Sequence, residues 1–204
     1  AAGSAASRIM LYSDRAKLHS AGDLYRRNGL PDSRGVWQPY GPPWDKERLV
    51  FGGCGGAVAY RRALLDEIGL FDERFFMYCE DVDLNWRAQL AGWKCIYVPT
   101  AVVYHHLSAT GGGTLSSYYV GRNTLWVIAR NYPPRLLRRN LGAVICAQGR
   151  IALEAARAWR GAAARARLRG QCAGLFSSLR WGAYRRQLLA RRRANDAEIA
   201  AVLD

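Results

Sequence analysis

The Pro133-Pro134 pair divides the chain into two compositions that call for different secondary structure. Before it, short runs of β-branched and aromatic residues alternate with helical patterns that stop at glycine. After it the chain is Ala, Leu and Arg with almost no strand formers. Residues 1–133 therefore predict an α/β unit and residues 134–204 a helical tail, broken near Gly149, Gly161, Gly170 and Gly174. Charge follows the same line. Residues 1–133 hold 15 Lys+Arg against 12 Asp+Glu and residues 134–204 hold 15 against 4, so most of the formal charge of +14 sits on the tail.

The 204 residues, half of them hydrophobic, suffice to bury one core. No stretch approaches the ~20 uninterrupted apolar residues that span a bilayer. The best candidate, Leu141 to Trp159, is broken by Arg150, Glu154 and Arg157. The start, Ala1-Ala2-Gly3-Ser4-Ala5-Ala6-Ser7, has neither an initiator Met nor the order of a secretory signal, which reads as the interior of a longer protein. Cys54, Cys79, Cys95, Cys146 and Cys172 are odd in number and form no Cys-x-x-Cys, so a reducing, cytoplasmic setting is expected in place of a disulfide framework.

Residues 29–48 carry turn chemistry (Gly29-Leu30-Pro31, Gly35, Pro39, Gly41-Pro42-Pro43) and predict a long loop. A Gly-rich extended segment follows from Leu49 to Tyr60, then a short helix from Arg61 to Ile68 closed by Gly69. A second helix is expected to begin at Glu80 or Asp81, to carry Val82, Trp86 and Leu90 at intervals of four, and to stop at Gly92. Lys94 to Val98, ended by Pro99, and Ala101 to Tyr104 predict two short strands. The second delivers His105-His106 just before Gly111-Gly112-Gly113.

Glu80, Asp81 and Asp83 are the acids that could carry chemistry, but on a helix Asp81 and Asp83 point about 200° apart, so one at most faces a shared reaction centre. The structural alternative has Asp81 capping the helix and Asp83 forming a surface bridge with Arg87, worth roughly 0.3–0.5 kcal/mol. Phe71, Phe75, Phe76, Met77 and Tyr78 place apolar bulk directly before the acids, which suits a carboxylate whose pKa is raised toward that of a useful base.

The ordered run from Gly69-Leu70-Phe71-Asp72-Glu73 through Phe75-Phe76-Met77-Tyr78-Cys79-Glu80-Asp81-Val82-Asp83-Leu84 to Trp86-Arg87 closely resembles the acidic-motif region of family 2 glycosyltransferases of the rhamnosyl- and galactofuranosyl-transferring kind. The likeness continues through Gly92-Trp93-Lys94, Val98-Pro99-Thr100-Ala101, Val102-Val103-Tyr104-His105 and Tyr118-Tyr119-Val120-Gly121-Arg122-Asn123. It covers roughly residues 49–133, and more loosely Ser20-Ala21-Gly22-Asp23 to Gly35. The resemblance implies a partial GT-A (Rossmann-like) domain, its acceptor-side half, and an inverting transfer from a nucleotide diphosphate sugar to a lipid-linked or cell-envelope glycan acceptor. It implies Asp81 as general base, Glu80 shaping the acceptor site, and His105 completing a divalent-metal site for Mg or Mn.

Among the remaining candidates, Arg122 is placed to reach the diphosphate or to lie on a helix surface. Gly52-Gly53-Cys54-Gly55-Gly56 lacks the order of a P-loop and reads as a thin strand, with Gly55 and Gly56 admitting substrate closely or serving packing. Asp83 is placed near the substrate or paired with Arg87. The βα units and Asp-x-Asp motif that would bind the nucleotide in an intact member do not precede residue 81, so the donor half is expected to be missing and the isolated chain inactive, or completed by a separate donor-binding polypeptide. The tail suits an anionic membrane surface, with Trp159, Phe176, Trp181 and Tyr184 entering the interface, which predicts a peripheral protein on the inner face of the cell membrane. The competing reading is a non-enzymatic basic module binding a membrane surface or nucleic acid. For nucleic acid the sequence shows no helix-turn-helix, zinc or RNP pattern.

Overall fold

The computed structural model describes residues 2–107 and 112–204, so Gly111 of the predicted glycine run lies outside them. The backbone of the α/β unit is Ala2–Leu11 (β1), whose Ala, Gly and Ser side chains let neighbours approach closely from both faces. At Gly3 a Cβ would stand 2.3 Å from Leu64 Cδ1, so the missing side chain is what admits the first helix. Along one edge β1 pairs in parallel with Lys94–His105 (β7). Along the other it pairs antiparallel with Leu18–Ala21 (β2) and Val58–Tyr60 (β6), each covering part of its length. Arg48–Val50 (β5) closes the sheet on the far side of β7, and Asp23–Tyr25 (β3) with Pro31–Ser33 (β4) forms a separate two-stranded ribbon.

Two expectations change here. Residues 29–48 are not all loop: β4 lies within them, and Ala21 N–H to Arg34 O (2.8 Å) and Leu18 N–H to Gln38 O (2.9 Å) tie the segment to β2. The two strands expected on either side of Pro99 are a single strand. The register against β1 jumps from Ser7↔Val98 to Arg8↔Val102, and Pro99, which has no N–H to give, sits in that irregularity.

Arg62–Ile68 (α1) ends at Gly69 with φ of 80°, as read from sequence. Glu80–Leu90 (α2) starts and stops as expected, but Val82 to Leu90 are all buried, because α2 runs between the sheet and the tail instead of over the surface. Trp86 lies at the centre of an aromatic cluster with Tyr25, Phe51 and Tyr132 at ring separations of 4.9–5.4 Å. Gly113–Asn131 (α3) packs on α2.

Beyond Pro133 come Pro134–Arg157 (α4), Ala162–Ser178 (α5), Gly182–Ala190 (α6) and Asp196–Val202 (α7). Only Gly161 of the four predicted breaks interrupts a helix. Gly149 is inside α4, and Gly170 and Gly174 are inside α5, where a Cβ would stand 2.1 Å from Tyr118 O and 2.7 Å from Arg122 O. They let α5 lie directly on α3. Leu136, Trp181, Ala194, Ile199 and Leu203 from the tail join the same buried cluster as Trp86, and the chain end returns to β3 through Asp204 N–H to Tyr25 O at 3.0 Å. Among the described residues no helix is long and apolar enough to cross a membrane.

Candidate active site

The acids are delivered by a strained loop. Phe76, Tyr78 and Cys79 all take positive φ (66°, 64° and 65°), a region that typically costs a side-chain-bearing residue ~1–3 kcal/mol and persists only where the surroundings enforce it. The enforcement comes from α3. The fully buried Asn123 directs Nδ2 to the carbonyls of Phe75 (3.1 Å), Met77 (2.8 Å) and Tyr78 (2.7 Å), and Arg122 Nη2 donates to Arg74 O and Phe75 O. Arg122 also stacks on Trp126 and Tyr119. The loop thus ends with Cys79 as the N-cap of α2, and Asp81 does not cap the helix.

Asp81 is turned toward the glycine stretch. Its Oδ2 accepts from Gly55 N–H at 2.8 Å and its Oδ1 from Val82 N–H at 2.8 Å. The five residues around Cys54 divide by role. A Cβ on Gly52 would meet Asn85 Cγ at 2.1 Å and one on Gly53 would meet Val58 Cγ2 at 2.5 Å, so those two are needed for packing. Positions 55 and 56 instead face Asp81 Oδ2 (3.1 Å) and His105 Nε2 (3.5 Å) and border the site.

Asp23, at the start of β3, joins this cluster from another part of the chain. Its N–H donates to Gly52 O (2.8 Å), and its Oδ1 accepts from Ser20 Oγ (3.1 Å) and Ser33 Oγ (3.0 Å). One ligand atom each from Asp23, Cys54 and Asp81 lie within 4.8 Å of one another. Burial and then the Asp81 carboxylate push Asp23 up to about 8. Burial raises Asp81 as well, against the opposing pull of the Gly55 and Val82 N–H groups. Glu80 is raised by burial and by Asp81, and its Oε2 is buried without a hydrogen-bond partner. Two adjacent ionisable carboxyls and a third nearby, with no lysine or arginine bonded to them among the described residues, favour holding at least one proton at neutral pH.

His105 ends β7 with its ring stacked on His19 at 5.0 Å and its Nδ1 buried and unpartnered. His106 turns the other way and stacks on Tyr12 at 3.7 Å. Asp83 is on the opposite side of α2 with no accessible surface. Arg87 Nε lies 2.9 Å from its Oδ2, while Arg130 Nε (3.2 Å) and Asn131 Nδ2 (2.8 Å) meet its Oδ1. The bridge expected at the surface is therefore a buried one.

Comparison with known proteins bears on this same stretch. Residues 45–129 match the family described as "Glycosyltransferase like family 2". That stretch is thus similar to family 2 glycosyltransferases. The chain is 44% identical over 72 residues to N-acetylglucosaminyl-diphospho-decaprenol L-rhamnosyltransferase of Mycobacterium tuberculosis, in both strain CDC 1551 / Oshkosh and strain H37Rv, covering 35% of this chain and 24% of the relative. It is 50% identical over 36 residues to rhamnosyltransferase WbbL of Escherichia coli strain K12, covering 18% of this chain and 14% of the relative. The chain thus matches about a quarter or less of the length of these curated relatives.

Within the matched segment lie Glu80, Asp81, Asp83, Gly55, Gly56, His105 and Arg122; Gly55 meets Asp81, Gly56 borders His105 and Glu80 adjoins Asp81, whereas Asp83 and Arg122 are turned to contacts that hold the fold. Asp23 lies before the segment and was not a sequence-level candidate. It stood in the sequence only within the looser likeness from Ser20 to Gly35, with no role attached, next to Gly22, whose φ is 84° and where a Cβ is excluded by Val50 at 2.9 Å. Asn123, the loop clamp, was legible only as part of the resemblance.

As a cation site the Asp23–Cys54–Asp81 trio is mixed. Its carboxylates suit a hard divalent ion, whereas the Cys54 thiol, pushed up to about 12 by burial and by the Asp23 and Asp81 charges, is a soft ligand that suits such an ion less well. His105 is not in that trio and offers a single imidazole nitrogen from the end of β7.

Proposed function

We propose that this chain is the acceptor-side part of an inverting glycosyltransferase that moves a sugar, of the rhamnosyl class, from a nucleotide diphosphate donor to a lipid-linked acceptor of the cell envelope. The observation that carries the reading is Asp81 at the head of α2, half-buried, hydrogen-bonded by Gly55 N–H and surrounded by carboxyls. An inverting transfer needs a base to take the acceptor hydroxyl proton as its oxygen attacks the anomeric carbon. A carboxylate made more basic by burial serves this, and the rigid Gly55–Asp81 contact fixes its direction. Glu80 shapes the acceptor side, and Gly55 and Gly56 leave room for substrate. Arg122 holds the loop, so its effect on the donor is indirect. Asp83 is assigned to the fold.

A divalent cation, Mg or Mn, with His105 as the imidazole ligand, would supply charge neutralisation for the departing diphosphate. The nucleotide-sugar donor comes from the resemblance and the lipid-linked acceptor from the resemblance and the name of the mycobacterial relative, while a location on the cytoplasmic face of the membrane rests on the cysteine usage and the basic tail. The test uses the full-length parent with dTDP- and UDP-linked sugars and a short-chain polyprenyl diphosphate GlcNAc, product being read by mass spectrometry and anomeric configuration by NMR. Inverted product that disappears with Asp81→Asn is the expected result. Retention of configuration, or full turnover by Asp81→Asn, overturns the assignment.

A further inference from the structure

The α4–α5 hairpin presents a surface that the acidic cleft does not use. Gln171 Nε2 donates to Gln148 O and Oε1, both at 3.1 Å, and fixes the level at which the two antiparallel helices meet. At 1.5 Å rise per residue, Ile145 and Leu141 on α4 then lie level with the stretch from Gly174 to Ser178 on α5, on the far side of that contact from the connecting turn. Leu175, and Leu179 just past the end of α5, follow Gln171 at intervals of four, and Ile145 and Leu141 precede Gln148 by three and seven, so all four fall on the same sides of their segments as the glutamine pair.

Those faces are uncovered. Leu141, Ile145, Leu175 and Leu179 are 45%, 62%, 64% and 87% exposed, and Phe176 beside them is 76% exposed. The opposite side of α5 is used up, because Gly170 and Gly174 press it onto α3.

Charge selects the occupant. Residues 134–180 hold ten arginines and one acid, Glu154, which is 4.0 Å from Arg150. A second copy of the chain would bring this cationic surface against itself, so self-association is opposed. Single-stranded nucleic acid is bound on aromatic stacking platforms, whereas the exposed side chains at the centre here are mostly aliphatic. Aliphatic side chains flanked by guanidinium groups match the boundary between acyl chains and phosphate headgroups.

We propose that the α4–α5 face rests on a bilayer bearing anionic headgroups, with Leu141, Ile145, Leu175 and Leu179 entering the acyl boundary and Arg138, on the same side of α4 as Leu141 and Ile145, at the phosphates. The assignment differs from the one expected of the sequence. Trp181 is buried among Trp126, Arg130 and Arg180, and Tyr184 is partly buried against the core. Of the four aromatic residues expected at the interface only Trp159 and Phe176 remain exposed.

This inference stands whether or not the chain transfers sugar, and flotation of the 204-residue protein tests it without activity. Vesicles of phosphatidylcholine alone and of phosphatidylcholine with phosphatidylglycerol are compared for wild type, for Ile145→Asp with Leu179→Asp, for Arg138→Glu, and for Leu70→Asp, an exposed apolar control outside the hairpin. Wild type and the control are expected to bind the anionic vesicles about tenfold or more above the neutral ones. The double Asp variant loses that binding, Arg138→Glu and high salt weaken it, and every melting curve is unchanged because the altered side chains are exposed. Equal binding to both vesicles, binding to neither, or unchanged binding by the double Asp variant overturns the proposal. So does a lipid-free dimer, seen by light scattering, that the double Asp variant splits, or a shift of labelled RNA at physiological salt by a protein that ignores vesicles.

Discussion

Asp81 and Asp83 stand two residues apart on α2, face about 200° apart and meet opposite surroundings. Around Asp83 are Arg87, Arg130 and Asn131, so the carboxylate is fully paired and fully buried. Around Asp81 are two backbone N–H groups and the carboxyls of Asp23 and Glu80, and among the described residues no lysine or arginine pairs with it. The same residue type on the same helix is thus set among cations at Asp83, which holds the fold, and among carboxyls at Asp81, which suits the base proposed for it. The letters Asp-x-Asp carry neither assignment. The elements packed on each side of α2 decide it: α3 with its arginine on one side, the glycine stretch and β3 on the other.

The sharpest way to break this contrast is to exchange the two losses. Asp81→Asn in the full-length enzyme is expected to lower turnover by about 10²–10⁴-fold, the usual contribution of a positioned general base, while its melting temperature holds or rises because a carboxyl penalised by burial is removed. Initial rates beside calorimetry check both halves. Asp83→Ala should do the reverse. It leaves the buried Arg87 and Arg130 without their shared carboxylate and is expected to destabilise the fold by about 3–5 kcal/mol, read from chemical denaturation. Arg87 keeps its bonds to Ile68 O (2.6 Å) and Leu70 O (2.8 Å), and Arg130 keeps Asp72 at 2.7 Å, so the damage should be a loss of stability and not a reorganised site.

A gentler probe concerns pH. Asp23 is raised to about 8 by burial and by Asp81, and the Asp81 and Glu80 carboxyls are raised too. A carboxyl with a raised folded pKa stabilises the protein fully below its unfolded value near 4, and that contribution fades as pH climbs through the folded value. Stability should therefore fall between about pH 4 and pH 8, and Asp23→Asn should flatten the fall by up to a few kcal/mol. The opposing group is Asp72. Burial works against its ionisation, but Arg74 and Arg130 outweigh that and hold it well below the usual carboxylate range, so its contribution is lost only in acid. Melting curves across that range, wild type against Asp23→Asn, would decide. Parallel slopes would mean the two carboxyls do not share a proton.

Much of this was legible in the sequence, and the misses have physical causes. The start of α2 at Glu80 and its stop before Gly92 follow from local periodicity and capping, which the rest of the fold does not override. Pro99 misled because a proline in a strand is read as an end, while a register irregularity here spares it the ladder. Gly170 and Gly174 read as helix breakers but serve close approach to α3, a role that only the tertiary structure reveals. Asp23 was missed for a related reason. It stands in the looser likeness from Ser20 to Gly35, which attaches no role to it, and only the bridge from its N–H to Gly52 O brings β3 alongside the glycine stretch and so to Asp81.

The smallest expected effect belongs to His105. It ends β7 on the Asp81 side of α2, across from Gly56, and its ring stacks on His19 instead of pairing with a carboxylate. If His105 were merely a packed strand end, His105→Ala would lower stability and leave the metal requirement alone. As the imidazole ligand of a divalent cation, it should instead raise the Mn²⁺ concentration for half-maximal activity by about tenfold, with turnover at saturating metal changed less. His105→Gln separates the two cases, since it keeps bulk and polarity at the strand end but replaces the imidazole. A metal titration that superimposes on wild type for both variants would move the cation, if there is one, to the Asp23 and Asp81 carboxyls. Asp81 would then belong with the ligands, and the contrast with Asp83 would rest on cation binding instead of proton transfer.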